Sequence, residues 1–184
     1  MTPLPDIRRL RVFLKRGGII AYPTESCYGL GCDPSNRRAV RRILQLKGRP
    51  QAKGLILIGS DISQFRRYLD PIQPDIAARF SEWWPGPNTL LLTASKRCPH
   101  WLKGKHATLA VRISAHPFCA RLCHALKMPL VSTSANRAGN SPIKDARTCG
   151  RIFGKQVITL RGRVGLRNRP SSIIDPSSGK TFRA

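Results

Sequence analysis

The chain has 184 residues, 41% of them apolar, and sets 33 Lys and Arg against 9 Asp and Glu, a net charge of +24. That length buries one core and falls short of two ordinary domains, and the apolar fraction excludes a disordered chain. No apolar run reaches the length of a membrane span or a signal peptide, so one cytoplasmic domain over 1–184, without a membrane partner, is expected.

The hydrophobic pattern switches repeatedly between helical and strand periods. Asp6 caps a helix carrying Ile7, Leu10 and Leu14, which Gly17 and Gly18 end. A buried strand over 18–22 follows, then a polar glycine- and proline-bearing turn through 31. Ser35 is the expected N-cap of a helix with Val40, Ile43, Leu44 and Leu46 inside and Arg37, Arg38, Arg41 and Arg42 outside. A strand at 55–58 precedes helical stretches at 62–69 and 76–84, the second stopped by Pro85 and Pro87. Strands at 89–93 and 108–113, a helix at 117–126, a strand at 130–133 and a helix at 145–153 come next. The last strands, at 157–160, 172–174 and 180–183, lack intervening helices and read as antiparallel additions. The alternation predicts an α/β sandwich around a twisted mixed sheet.

The charge points to a polyanion such as RNA. A surface that is basic everywhere, with no such partner, fits the even spread as well. Aromatic residues make up only 7%, which disfavours a dedicated single-strand reader. Six cysteines without a signal peptide are expected as reduced thiols. His116, Cys119, Cys123 and His124 have helical spacing that zinc could use, but buried free cysteine is far commoner there, and no metal site is assigned. Neither a phosphate-binding GxxxxGK[ST] loop nor a complete dinucleotide fingerprint is present.

Chemistry-bearing residues gather instead at strand ends, where open α/β sheets bind ligands. Tyr22-Pro23-Thr24-Glu25-Ser26-Cys27-Tyr28-Gly29-Leu30-Gly31 offers hydroxyls and glycines. Lys47-Gly48-Arg49 offers a point charge and a bidentate fork for phosphate. Ser132-Thr133-Ser134-Ala135-Asn136 brings hydroxyls and an amide to the end of a buried strand, a costly placement unless a partner satisfies them. Trp84-Pro85-Gly86-Pro87 reads as scaffold, and 167–175 as a basic entry to a strand.

In this order and spacing the segments resemble the YrdC family of threonylcarbamoyl-AMP synthases, in its short bacterial form. The resemblance implies that L-threonine, bicarbonate or CO2, and ATP with Mg2+ give threonylcarbamoyl-adenylate and pyrophosphate. Separate transferase proteins would pass the group to the adenosine beside the anticodon of ANN-reading tRNAs, as N6-threonylcarbamoyladenosine. Lys47 and Arg49 match the family's phosphate-binding pair and are the expected catalytic residues. Thr108, Ser134 and Asn136 match the ATP side, and Thr24, Arg112, Ser132 and Ser171 the threonine side. The chain departs from the family pattern at Lys53-Gly54-Leu55 and Ile58, where many relatives have Asn-Pro-Leu and a histidine. Ser26 and Ser172 stand where threonine is usual. The rival readings are a non-catalytic RNA-binding protein of the same fold, contacting tRNA or double-stranded RNA, and a carbamoyl-adenylate enzyme with another acceptor.

Overall fold

A computed structural model describes residues 2–137 and 139–183. The elements in chain order are α1 (Ile7–Lys15), β1 (Ile20–Pro23), β2 (Tyr28–Gly31), α2 (Arg37–Lys47), β3 (Ile56–Gly59), α3 (Pro74–Ala78), β4 (Asn88–Thr93), α4 (His100–Lys103), β5 (Thr108–Ile113), α5 (Pro117–Leu126), β6 (Leu130–Ser134), α6 (Ala146–Phe153), β7 (Ile158–Thr159), β8 (Ser172–Ile174) and β9 (Thr181–Arg183). The strands form one mixed sheet in the order β7-β1-β2-β6-β3-β5-β4-β8-β9. β6 joins its halves: Leu130 to Ser132 pair with β3, and Thr133 and Ser134 with β2.

Strand periodicity decides what each face meets. Ala21 on β1, Leu57, Leu90, Leu92, Leu109, Val111 and Val131 enter a large core with Val40 and Ile43 of α2 and Phe153 of α6. Ile20, Tyr22, Ile58 and Leu130 point the other way, into a smaller core with Leu10 and Leu14 of α1 and Phe118, Leu122 and Leu126 of α5. β1 is thus apolar throughout because both its faces are covered. Two helices cannot cover nine strands. Beyond Ile58 and Leu130, the α1/α5 face is open, and Ile56, Leu91, Thr108, Ala110, Ser132 and Ser134 on it are only half-buried.

Several expectations need correction. The 22–31 turn is a hairpin, with Tyr22 opposite Gly29 and Ala21 opposite Leu30. Its second strand sends Tyr28 and Leu30 into the large core and turns Gly29 and Gly31 to the opposite face. The N-cap of α2 is Asn36, whose Oδ1 accepts from Ala39 N at 3.0 Å. Ser35 instead bonds Asp33 Oδ1 through its amide (2.9 Å) and hydroxyl (2.7 Å). The expected helices at 62–69 and 76–84 shrink to 3-10 turns and the five residues of α3. The prolines at 71, 74 and 85 flank both segments and do not themselves interrupt them. β7 runs parallel to β1 and β8 parallel to β4, and only β9 is an antiparallel addition. The α6 crossover and the 160–171 segment each carry the chain back to its starting direction before it pairs.

Candidate active site

α2 ends at Gly48, in the left-handed region with φ 61°, so Lys47 is the last helical residue and Arg49 leaves in a new direction. The buried Lys47 ammonium donates to Ser134 O (2.5 Å), Asn136 O (2.9 Å) and Asn136 Oδ1 (2.9 Å). Ser134 Oγ donates to the same Oδ1 at 2.6 Å. The helix end and the strand end therefore form one cluster, with no carboxylate in it. Burial, and then the neighbouring Arg49 charge, lower the Lys47 pKa to about 8. Arg49 Nη2 donates to Gly54 O at 3.1 Å, while its buried Nε has no partner among the described residues. Burial lowers its pKa as well.

Across the open face stands Arg112. Ile58 and Arg112 are register partners, so the guanidinium rises from the α1/α5 face. Its Nε donates to Gly86 O at 3.1 Å, and Nη2 pairs with the Glu25 carboxylate. Glu25 Oε1 also accepts from Ser114 Oγ (2.8 Å) and Ala115 N (3.1 Å). Burial works to raise the Glu25 pKa, but Arg112 and the Ser114 bond outweigh it, and the net shift is downward. Two of the five Arg112 donors are thus committed, and the rest remain for a ligand. Thr24 Oγ1 closes the hairpin on Cys27 O at 2.7 Å. Ser171 Oγ lies 2.9 Å from Thr89 Oγ1. Thr108 shares the face and strand of Arg112, and Ser132 lies on β6 opposite Ile56.

Strand parity puts Thr108, Arg112, Ser132 and Ser134 on one face of the sheet, with Lys47 and Asn136 bonded to Ser134 and Ser171 bonded to Thr89 of β4, while Arg49 is held separately on Gly54 O and Thr24 on Cys27 O. Sequence reasoning missed two charged residues here. Glu25 stood inside a quoted segment, and its scarcity among nine acids was the available signal. Arg183 had none, being one of 33 cations. Its Nε donates to Ser171 O (2.8 Å) and its Nη2 to Ser171 Oγ (3.1 Å). Burial, and then the charges of Arg112 and Arg49, lower its pKa. Two clefts, of 560 and 380 Å3, flank the α2 end beside Lys47 and Arg49. The broad sheet face, where the polar groups converge, is the better candidate for chemistry. Cys119 and Cys123 are free buried thiols in the smaller core, and His124 is exposed. Among the described residues no three His, Cys, Asp or Glu side chains gather to hold a metal.

An α/β sheet with a cationic, hydroxyl-lined floor at its strand ends defines a class: enzymes that position anionic substrates by charge rather than through a nucleophilic side chain. Comparison with known proteins makes the class specific. The family model Sua5_yciO_yrdC, described as "Telomere recombination", matches residues 12–184, and the chain belongs to this family. It is 52% identical to the threonylcarbamoyl-AMP synthase of Methylobacillus flagellatus, over 96% of this chain and 98% of that one. It is 49% identical to that of Chromobacterium violaceum, over 98% and 97%. The fold matches P. abyssi Sua5 complexed with L-threonine at TM-score 0.80 and 31% identity, covering 92% of this chain and 50% of that one. The chain thus spans about half of that protein. E. coli YciO matches at TM-score 0.79 and 27% identity, over 95% and 86%.

Proposed function

We infer that this chain is a threonylcarbamoyl-AMP synthase, an enzyme that joins L-threonine, bicarbonate or CO2, and ATP into threonylcarbamoyl-adenylate and pyrophosphate for the synthesis of N6-threonylcarbamoyladenosine in tRNA. The observation that carries the reading is the convergence of Lys47, Ser134 and Asn136 on a floor shared with Arg112, in a chain about half identical, over nearly its whole length, to relatives of that name. The amine of threonine adds to CO2, an oxygen of the resulting carbamate attacks the α-phosphorus, and the bond from that phosphorus to the pyrophosphate oxygen breaks. No covalent enzyme intermediate is needed, so the residues position and neutralise.

In this reading Lys47 gives up one of its carbonyl acceptors for a phosphate oxygen, and Arg49 turns its uncommitted Nε to the same group. Thr108, Ser134 and Asn136 take the nucleotide. Arg112, held by Glu25 and Gly86, binds the threonine carboxylate, with Thr24, Ser132 and Ser171 around the rest of the amino acid. Arg183, held on Ser171, adds a cation beside the residues around the amino acid. Magnesium suits oxygen donors of this kind as a companion of the triphosphate. It would be held largely by phosphate and water rather than by protein carboxylates, with Ser134 Oγ as a protein oxygen of the ATP side, and there it would neutralise phosphate charge. Downstream transferases and direct tRNA contact through the exposed arginines of α2 belong to the same proposal.

The test is pyrophosphate release by the purified chain with ATP, magnesium and bicarbonate, with and without threonine. Release should require threonine. Lys47→Ala and Arg49→Ala should each lower it by about 100-fold or more, the usual scale for losing a charge that stabilises a transition state, with little change in Tm. Salt-sensitive RNA binding without any such release would favour the non-catalytic alternative, and release driven equally by other amino acids would favour another acceptor.

A further inference from the structure

The segment over 160–171, between β7 and β8, runs along the β1–β2 hairpin without forming a helix or strand of its own. Tyr28 Oη donates to Gly162 O at 2.7 Å, Gly165 N to Thr24 O at 2.9 Å and Arg167 N to Glu25 O at 3.1 Å. The backbone carbonyls of Thr24 and Glu25 are thus both taken by the segment. A Cβ on Gly165 would lie 2.6 Å from Glu25 O and 3.0 Å from Glu25 Cα. Gly165 has no positive φ, so this close approach, and not its conformation, requires glycine.

The side chain of Glu25 is held from elsewhere, by the turn between β5 and α5. Its Oε1 accepts from Ser114 Oγ and Ala115 N, and its Oε2 pairs with Arg112 Nη2. His116 belongs to the same turn. Its N donates to Ser114 Oγ at 3.1 Å, and its ring Nε2 lies 3.1 Å from Arg163 O. A carbonyl only accepts, so Nε2 carries the proton. Burial lowers the pKa of the ring and favours that neutral form. His116 therefore closes a ring of contacts that runs from the turn to Glu25, from Glu25 to the 160–171 segment, and from the segment back to the turn. The carboxylate that pairs with Arg112 sits inside this ring. We propose that Gly165 and His116 are positioning residues for the amino-acid substrate: the segment and the turn clamp Glu25 between them, and Glu25 holds the Arg112 guanidinium at the angle its free donors need to meet a carboxylate. This rests on the synthase reading, which gives Arg112 its ligand. Guanidinium and carboxylate meet as planar forks, so a tilt of Arg112 costs more than it would for a point charge.

The experiment uses Gly165→Ala, which drives a methyl into the Glu25 backbone, and His116→Phe, which keeps the ring's bulk and removes its donor. Calorimetry compares L-threonine with L-threoninol, which has the same amine and side chain but no carboxylate. Threonine affinity should fall about tenfold or more in each variant, the scale of a hydrogen bond to a charged group. Threoninol affinity and the KM for ATP should stay as in wild type. The chain has two glutamates, Glu25 and Glu82, so isotopic labelling of glutamate lets NMR follow the Glu25 carboxyl without any ligand. Against burial, Arg112 and Ser114 hold its pKa down. In both variants that pKa should rise, with Glu82 unchanged. If Gly165→Ala does not fold, His116→Phe decides. Equal loss for threonine and threoninol, an unchanged threonine affinity, or an unmoved Glu25 pKa in a folded variant overturns the proposal. A wild type that binds threonine without releasing pyrophosphate defeats the synthase reading alone. A wild type that binds threonine no better than threoninol defeats the carboxylate role of Arg112, and the Glu25 titration still decides whether the clamp holds the pair.

Discussion

Lys47 holds its proton against burial and a neighbouring guanidinium, with carbonyls and an amide oxygen for acceptors and no carboxylate beside it. Its pKa of about 8 in the free protein sets a sign for nucleotide binding. Below that value the site presents an ammonium to the triphosphate. As pH rises through it, the free protein loses the charge, while a bound phosphate favours the protonated form and raises the pKa again. ATP affinity should therefore decline above pH 8, and binding there should take up about one proton. Calorimetry in buffers of different ionisation enthalpy reads that proton directly, and Lys47→Met should abolish the uptake. Within this cluster the hydroxyl-rich strand end was legible because buried polar groups are costly unless they meet something, whereas Lys47 and Arg49, a common pair in so basic a chain, stood out only through the family resemblance. Arg183 was not legible, since no local pattern separates one arginine from 32 other cations. Only the β8–β9 pairing brings it to Ser171.

At the scale of elements, the missed strand β2 has a clear cause: polar and glycine residues weigh toward loops when tertiary context is unseen. Tyr28-Gly29-Leu30-Gly31 alternates like a strand, but its open-face positions are glycines, so half the period carries no side chain. Strands with ordinary side chains on both faces, such as β4 and β5, were placed to within a residue. The start of α2 slipped by one because Ser35 and Asn36 both suit a cap, and Asp33 claims the serine. Asn36 does more than cap, since its Nδ2 donates to Lys15 O at 3.0 Å and ties α2 to the end of α1. Asn36→Ala should cost about 1–2 kcal/mol, lowering Tm by roughly 2–8 °C in a chain of this size. Ser35→Ala should cost less, because Asp33 retains its ion pair with Lys15 at 2.8 Å. Thermal melts of the two variants decide between the caps. Neither should change kcat, because both lie at the far end of the helix from Lys47.

The whole molecule carries a charge that its own acids cannot balance. Nine acids can neutralise nine of 33 positive charges, and four ion pairs form among the described residues. Two of these join exposed residues three apart on a helix or turn, which contributes little. The exposed Arg37, Arg38, Arg41 and Arg42 of α2 then repel one another and the rest of the surface. Added salt shortens the screening length from about 10 Å at 0.1 M to about 3 Å at 1 M, so the fold should gain stability from sodium chloride. A protein held by surface ion pairs would lose it. Differential scanning calorimetry across that range should show Tm rising with salt. The same measurement separates the two origins of the basic surface. If these arginines serve an RNA partner, tRNA added at low salt should raise Tm beyond what an equal ionic strength achieves, and 1 M salt should erase the increment as counterion release loses its drive. If the surface is basic without a partner, short polyphosphate should stabilise the protein as well as tRNA does, and the catalytic floor beneath it should work unchanged.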